Sequence, residues 1–162
     1  MACDVTLDAL DMRILDALQA DATLSAAAMG NRVGLSHNAC WRRMKRLQDL
    51  KVIKRRVALL NPGALGLHVT VFVTVRASEH TQQWFDSFTA AVRDIPEVVE
   101  LYKLGGDVDF LLKVQVESIA AYDAVYRRLI KMTRLVDVSS VFAIEEVKHT
   151  TALPLPVLEG RV

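Results

Sequence analysis

Helical periodicity recurs three times within residues 7–50, and only Gly34, Leu35 and Ser36 separate the second stretch from the third. Leu10, Ile14, Leu15 and Leu18 set a first helix over residues 7–20. Asp8 and Asp11 near its start suit the positive end of the helix dipole. Ser25 is placed to cap a second helix carried by Ala26, Ala27, Ala28 and Met29. Gly34 falls where that helix must end in a left-handed residue. Ser36 is placed to cap a third helix running to about Leu50, with Cys40, Met44 and Leu47 on one face. Three short helices with so tight a turn read as a helix-turn-helix. Gly30 inside the second helix lets the third cross closely, at a cost of roughly 1 kcal/mol in helix propensity.

Charge supports this reading. Residues 31–60 hold nine Lys/Arg against one acid, Asp49. From Asn61 onward there are ten Lys/Arg against thirteen acids, so a net charge of +1 hides a cationic end and a mildly acidic one. Such asymmetry suits a chain of which one part meets a polyanion. After Val52-Ile53 a basic, strand-like run, residues 54–60, leads to the breaking turn Asn61-Pro62-Gly63, with Gly66 following.

The second half alternates strands and helices. Residues 68–76 are β-branched and aromatic, a strand; Trp84, Phe85, Phe88 and Val92 follow helical spacing and Pro96 ends that helix. Residues 98–104 and 110–116 form a hairpin around Gly105-Gly106-Asp107. Ile119, Tyr122, Val125, Tyr126 and Leu129 mark a second helix, and residues 136–144 a fourth strand. The order βαββαβ is the ferredoxin-like arrangement. With both helices on one face of the sheet, the other face requires a partner, here a second copy. The fold class is α+β, divided as a helix-turn-helix domain (1–53), a hinge strand and linker (54–66), and a ferredoxin-like domain with an extended tail (67–162), whose open sheet face makes it the expected site of oligomerisation.

Several classes are excluded. Apolar runs are interrupted before the ~18 residues that a membrane helix needs, and no secretory leader is seen. Cys3 and Cys40 make neither a disulfide framework nor a metal site and read as free thiols of a reducing cytoplasm. His68, His80 and His149 lack metal spacing, and no nucleophile–base pair or phosphate loop is present, so neither catalysis nor a cofactor is expected. Two other function classes find less support in the sequence. An amino-acid-regulated metabolic enzyme would need catalytic residues in the first 60, and none stand out. An RNA-binding sheet would need exposed aromatics in a glycine- and basic-rich central strand, which residues 110–116 lack.

The third helix carries the candidate DNA-reading residues. Ser36, His37, Asn38 and Arg42 lie in the turns that a helix-turn-helix presents to base edges. Asn reads adenine and Arg reads guanine. Arg43, Lys45, Arg46 and the hinge residues Lys54, Arg55 and Arg56 suit phosphates. Trp41 either seals the small core or lies on the DNA side; its bulk favours the core, and it stays among the DNA-facing candidates. In the second half, the amides beside Gly105 and Gly106 can hold a carboxylate, and Asp107 or Asp109 can answer an ammonium group. The same residues also make an ordinary hairpin turn. Tyr102, Phe110, Tyr122, Tyr126 and Phe142 read as packing.

These blocks resemble the Lrp/AsnC, or feast/famine, family of transcriptional regulators. The resemblance runs from Leu7 to about Pro154 and rests on Leu10-Asp11 with Ile14-Leu15, on Arg32-Val33-Gly34-Leu35-Ser36 with Cys40, Arg43, Arg46-Leu47 and Val52-Ile53, on Ala58-Leu59-Leu60-Asn61-Pro62, on Gly106-Asp107-Val108-Asp109-Phe110-Leu111-Leu112 and on Glu145-Glu146-Val147-Lys148. It implies a cytoplasmic regulator of double-stranded DNA, homodimeric and often octameric, modulated by a small amino-acid-like effector. By position, it implies an effector region at Leu104, Gly105, Gly106, Asp107, Asp109, Ile119, Ser140, Phe142 and Ala143. His37 and Trp41 depart from the commoner proline and leucine. Cys40-Trp41 with the segment 148–154 most resembles a cysteine-responsive branch.

Overall fold

A computed structural model describes residues 5–132 and 135–156, so Cys3 lies outside the described residues. The chain divides into two compact units, one holding residues up to Leu59 together with the tail from Lys148, the other spanning Leu60–Val147.

The first unit has three helices, α1 (Ala9–Ala20), α2 (Ala26–Val33) and α3 (His37–Asp49). Each starts on a side-chain cap. Asp8 and Asp11 exchange hydrogen bonds with each other's backbone N–H, and Ser25 and Ser36 accept from the N–H groups of Ala28 and Ala39. Gly34 closes α2 in the left-handed region, at φ +76°. Ile14, Leu15, Met29, Val33, Cys40, Met44 and Leu47 form the core. Gly30 is required at a close approach, although the neighbour is not α3 itself. A Cβ there would stand 2.6 Å from the backbone oxygen of Leu35, in the turn before α3.

The second unit has four strands, β1 (Val69–Ala77), β2 (Val98–Lys103), β3 (Phe110–Val116) and β4 (Leu135–Phe142), with α4 (Gln82–Arg93) and α5 (Ile119–Met132). The sheet is antiparallel in the order β2-β3-β1-β4, as βαββαβ requires. On β1, Val71, Val73 and Val75 face the helices; on β3, Phe110, Leu112, Val114 and Val116 do. They pack with Phe88, Val92, Ile95, Val125 and Leu129. The opposite face carries Phe72, Tyr102 and Val141 exposed, with Lys113 3.6 Å from Glu100.

Three expectations are corrected. Residues 54–60 are exposed and form no strand, because a strand needs a ladder partner and none pairs with them among the described residues. The tail groups with the helix-turn-helix unit rather than with the sheet, because Leu153 bonds to Gln19 of α1 and Leu155 packs against the core of the three helices. Helix α4 ends at Arg93, before Pro96, where the N–H of Asp94 turns back onto the carbonyls of Ala91 and Val92.

Candidate functional site

The apolar stripe Cys40–Met44–Leu47 fixes how α3 is rotated. Asn38, Trp41, Arg42 and Lys45, spaced i, i+3, i+4, i+7, share the outward side. Trp41 is 53% exposed, which overturns its placement in the core: the stripe already closes that core, leaving the indole beside Arg42. Ser36 is consumed as the α3 cap, and His37 and Asn38 are exposed with Nδ1 and Oδ1 3.1 Å apart.

Arg43 and Arg46, expected at phosphates, are engaged within their own unit. Arg43 bonds to Asp8 at 2.7 Å and Asp11 at 2.8 Å, and Arg46 bonds to Asp11 at 3.0 Å and to the carbonyl of Thr6 at 2.8 Å. Their guanidiniums tie α3 to the start of α1. Asp11 is 1% exposed, so it depends on these partners. Burial alone pushes the Asp8 carboxyl up, but the Asp11 N–H and the Arg43 guanidinium hold it below the usual carboxylate range. Lys54, Arg55 and Arg56 are exposed on the extended segment that follows α3.

The residues expected around an effector fall into two groups. Residues 104–109 form one. Leu104 N–H donates to the Asp109 carbonyl at 2.8 Å, closing the hairpin, and Gly106 adopts φ +141°. The Asp109 carboxylate accepts from Ala77 N–H at 2.8 Å and stands 3.5 Å from His80 Nδ1. Asp107 and the two glycines are exposed. Ile119, Ser140, Phe142 and Ala143 form the second group. Ser140 hydrogen-bonds the Tyr122 hydroxyl, Phe142 meets the Tyr122 ring edge-on at 5.4 Å, and Ala143 N–H donates to Thr70 at 2.9 Å. Burial raises the Tyr122 pKa, only partly offset by Ser140.

Val75 pairs with Phe110 and Val71 with Phe142, which sets Phe142 about 13 Å along β1 from the hairpin. Ser140 lies between them, paired with Val73. Tyr122 packs in the sheet core as its spacing predicts, and the contact of His80 with Asp109 has no local pattern in the sequence to point to it.

The comparisons follow this division. The AsnC-type helix-turn-helix domain matches residues 7–48, and the Lrp/AsnC ligand binding domain matches residues 70–153. The chain belongs to the Lrp/AsnC family. It is a DNA-binding transcription regulator with a ligand-binding domain. It is 52% identical over 150 residues to a glutamate uptake regulatory protein of Zymomonas mobilis, covering 93% of this chain and 92% of that one. It is 40% identical to the DNA-binding transcriptional activator DecR of Escherichia coli, over 92% and 99% of the two chains. Among solved structures, an AsnC family regulator from Agrobacterium tumefaciens superposes with TM-score 0.88 at 49% identity, covering 91% and 97%. A transcriptional regulator from Neisseria meningitidis in complex with L-Met superposes with TM-score 0.86 at 34% identity, covering 92% and 97%. No helix among the described residues of this Lrp/AsnC regulator is long and apolar enough to cross a membrane.

Replacement of Asp109 will show its part in the scaffold. Asp109→Ala leaves the Ala77 N–H without its acceptor and will cost the sensor unit about 1–2 kcal/mol. Asp109→Asn keeps an acceptor and will cost less. Chemical denaturation of the two variants measures the difference.

Proposed function

We propose that the outward side of α3 reads duplex DNA and that an amino-acid-type effector sets how tightly the protein does so. Asn38 and Arg42 contact base edges, with Ser36, His37 and Trp41 beside them. Lys45, Lys54, Arg55 and Arg56 meet phosphates, where Arg43 and Arg46 act by holding α3 in place. The observation that carries this is the exposed row Asn38, Trp41, Arg42 and Lys45 on a helix whose inward cations are bound to Asp8 and Asp11. An exposed tryptophan beside an arginine gives such a face an apolar contact for thymine methyls.

A second copy covers the open sheet face with its exposed Phe72, Tyr102 and Val141, and dimers assemble further, up to octamers. Residues 104–109 of one copy and Ile119, Ser140, Phe142 and Ala143 of another then complete one effector cleft. Its ligand is an α-amino acid, with cysteine and methionine among the first to test. The protein works in the cytoplasm and catalyses no reaction.

Arg42→Ala is expected to weaken binding to a selected operator about tenfold, while a scrambled duplex is bound as before. Arg55→Ala will weaken both and lower the log–log salt slope by about 0.9. Titrations by fluorescence anisotropy at several salt concentrations read both effects. A thermal-shift screen of the twenty amino acids tests the effector: a true ligand raises the melting temperature and changes operator affinity. If none does both, the effector reading fails.

A further inference from the structure

Arg43 carries two acids on one nitrogen. Its Nη1 donates to Asp8 Oδ2 at 2.7 Å and to Asp11 Oδ1 at 2.8 Å. The two acids differ in what they can give up. Asp11 is 1% exposed and also holds Arg46, so releasing it would strand a buried charge. The Asp8 side chain is 53% exposed, so water replaces a lost bond there at little cost. Its two oxygens also have separate tasks. Oδ1 accepts from the Asp11 N–H and caps α1, and Oδ2 meets Arg43. Arg43 can therefore leave Asp8 without opening the cap of α1 or loosening its own tie to Asp11.

The surroundings of Arg43 favour one kind of replacement. Asp8, Ala39, Arg42, Arg43 and Arg46 line an open groove of about 620 Å³ where the start of α1 meets α3, with Leu35 in its wall. Positions 39, 42, 43 and 46 fall on one side of α3, so the small side chain of Ala39 leaves room beside the three guanidiniums. With Asp8 and Asp11 as its acids, the groove keeps one positive charge in excess, which favours an anion as occupant. A guanidinium pairs with carboxylate and phosphate through the same N–H···O geometry, so a phosphate oxygen fits where Asp8 Oδ2 stands. Arg42 is exposed in this groove and belongs to the outward row of α3, which brings the backbone of a bound duplex to it.

We propose that Asp8 is a displaceable counter-ion: when α3 meets duplex DNA, a backbone phosphate takes the place of Asp8 on Arg43, while Asp11 keeps α3 in position. Arg43 then serves as tie and as phosphate contact at once. Asp8 sets a limit on affinity, because the phosphate gained at Arg43 leaves one acid charge free beside the DNA. The exchange rests on the reading that α3 meets DNA, and its test separates the failure of one from the failure of the other.

The test titrates the full chain against an operator duplex selected with the wild-type protein and against a scrambled duplex, by fluorescence anisotropy at several salt concentrations. Asp8→Asn keeps an oxygen for the α1 cap and removes the charge that Arg43 must leave. It is expected to bind both duplexes about threefold tighter, the scale of an exposed ion pair no longer given up. Its log–log salt slope is expected to steepen by about 0.9, because the phosphate on Arg43 is then neutralised with no acid set free. Asp49→Asn removes another exposed acid, at the end of α3, and reports what the loss of one negative charge does by itself; its slope is expected to match the wild type. Adding Arg43→Gln to Asp8→Asn is expected to abolish the gain, and a gain that survives in the folded double variant overturns the exchange. Arg43→Gln also breaks the tie to Asp11, so the two single variants decide without it: an unchanged slope in Asp8→Asn, or an equal change in Asp49→Asn, overturns the exchange and leaves wild-type DNA binding in place. A wild type that binds neither duplex removes the DNA reading and the exchange together.

Discussion

Asp11→Ala is expected to destabilise the helix-turn-helix unit by about 3 kcal/mol, because removing the buried acid of an ion-pair cluster leaves its partners short of an acceptor. Asp11 accepts from Arg43, Arg46 and the N–H of Asp8; without it the Asp8 N–H is left open, Arg43 keeps only Asp8 and Arg46 only the Thr6 carbonyl. Side-chain exposure of 29% for Arg43 and 46% for Arg46 lets water solvate the freed guanidiniums, which keeps the cost at the lower end for such sites. Hydrogen exchange along α3 measures the loss, and operator binding falls with it. Asp11→Asn retains an acceptor without the charge and will lie between. Asp8 adds a pH dependence of defined sign. Its folded pKa lies below the unfolded value, so its contribution is present above that value and is lost as pH falls through the folded one. The Asp8 contribution will be constant above about pH 4 and fall away below it. Asp8→Asn will flatten that fall.

Gly30→Val is expected to cost the same unit about 3 kcal/mol, the upper end for overpacking. The Leu35 oxygen that a Cβ would meet at 2.6 Å is backbone, and it cannot swing aside as a side chain does. The Leu35 N–H also bonds the Gly30 carbonyl at 2.8 Å, so moving the turn breaks a hydrogen bond as well. Alanine at position 30 gains about 1 kcal/mol of helix propensity and loses more to the same contact. Gly34 makes the contrast. A Cβ there meets nothing within 4 Å, and only its φ of +76° is strained, so Gly34→Ala will cost about 1 kcal/mol. Urea denaturation of the three variants tests this order.

What could be read from the sequence was what local chemistry decides. Ser25, Gly34 and Ser36 mark helix ends because caps and left-handed residues act within four positions. Strand β3 spans Phe110–Val116, the bounds that its apolar run between the hairpin turn and Glu117 marks. The bonds of Arg43 and Arg46 were not, because their acids lie 32 to 35 residues away and nothing in α3 points to them. Residues 54–60 carry the composition of a strand, yet composition does not supply a ladder partner. Gln19 and Leu153 are 134 residues apart, which hid the tail's anchor in the same way. The effector residues named by resemblance lie in two places on one copy, a division that only the register of β1 against β3 and β4 reveals.

The central claim is that α3 reads base sequence in duplex DNA. Selection of the full-length protein against a random-sequence duplex pool at about 150 mM salt, where non-specific electrostatic binding is already weak, tests it most directly. The account predicts enrichment of one site with two-fold symmetric half-sites, bound at least ~1,000-fold tighter than the starting pool. It also predicts that Arg42→Ala relaxes the base preference at one position in each half-site. A pool that stays unenriched after repeated rounds, with every duplex bound alike, would contradict it.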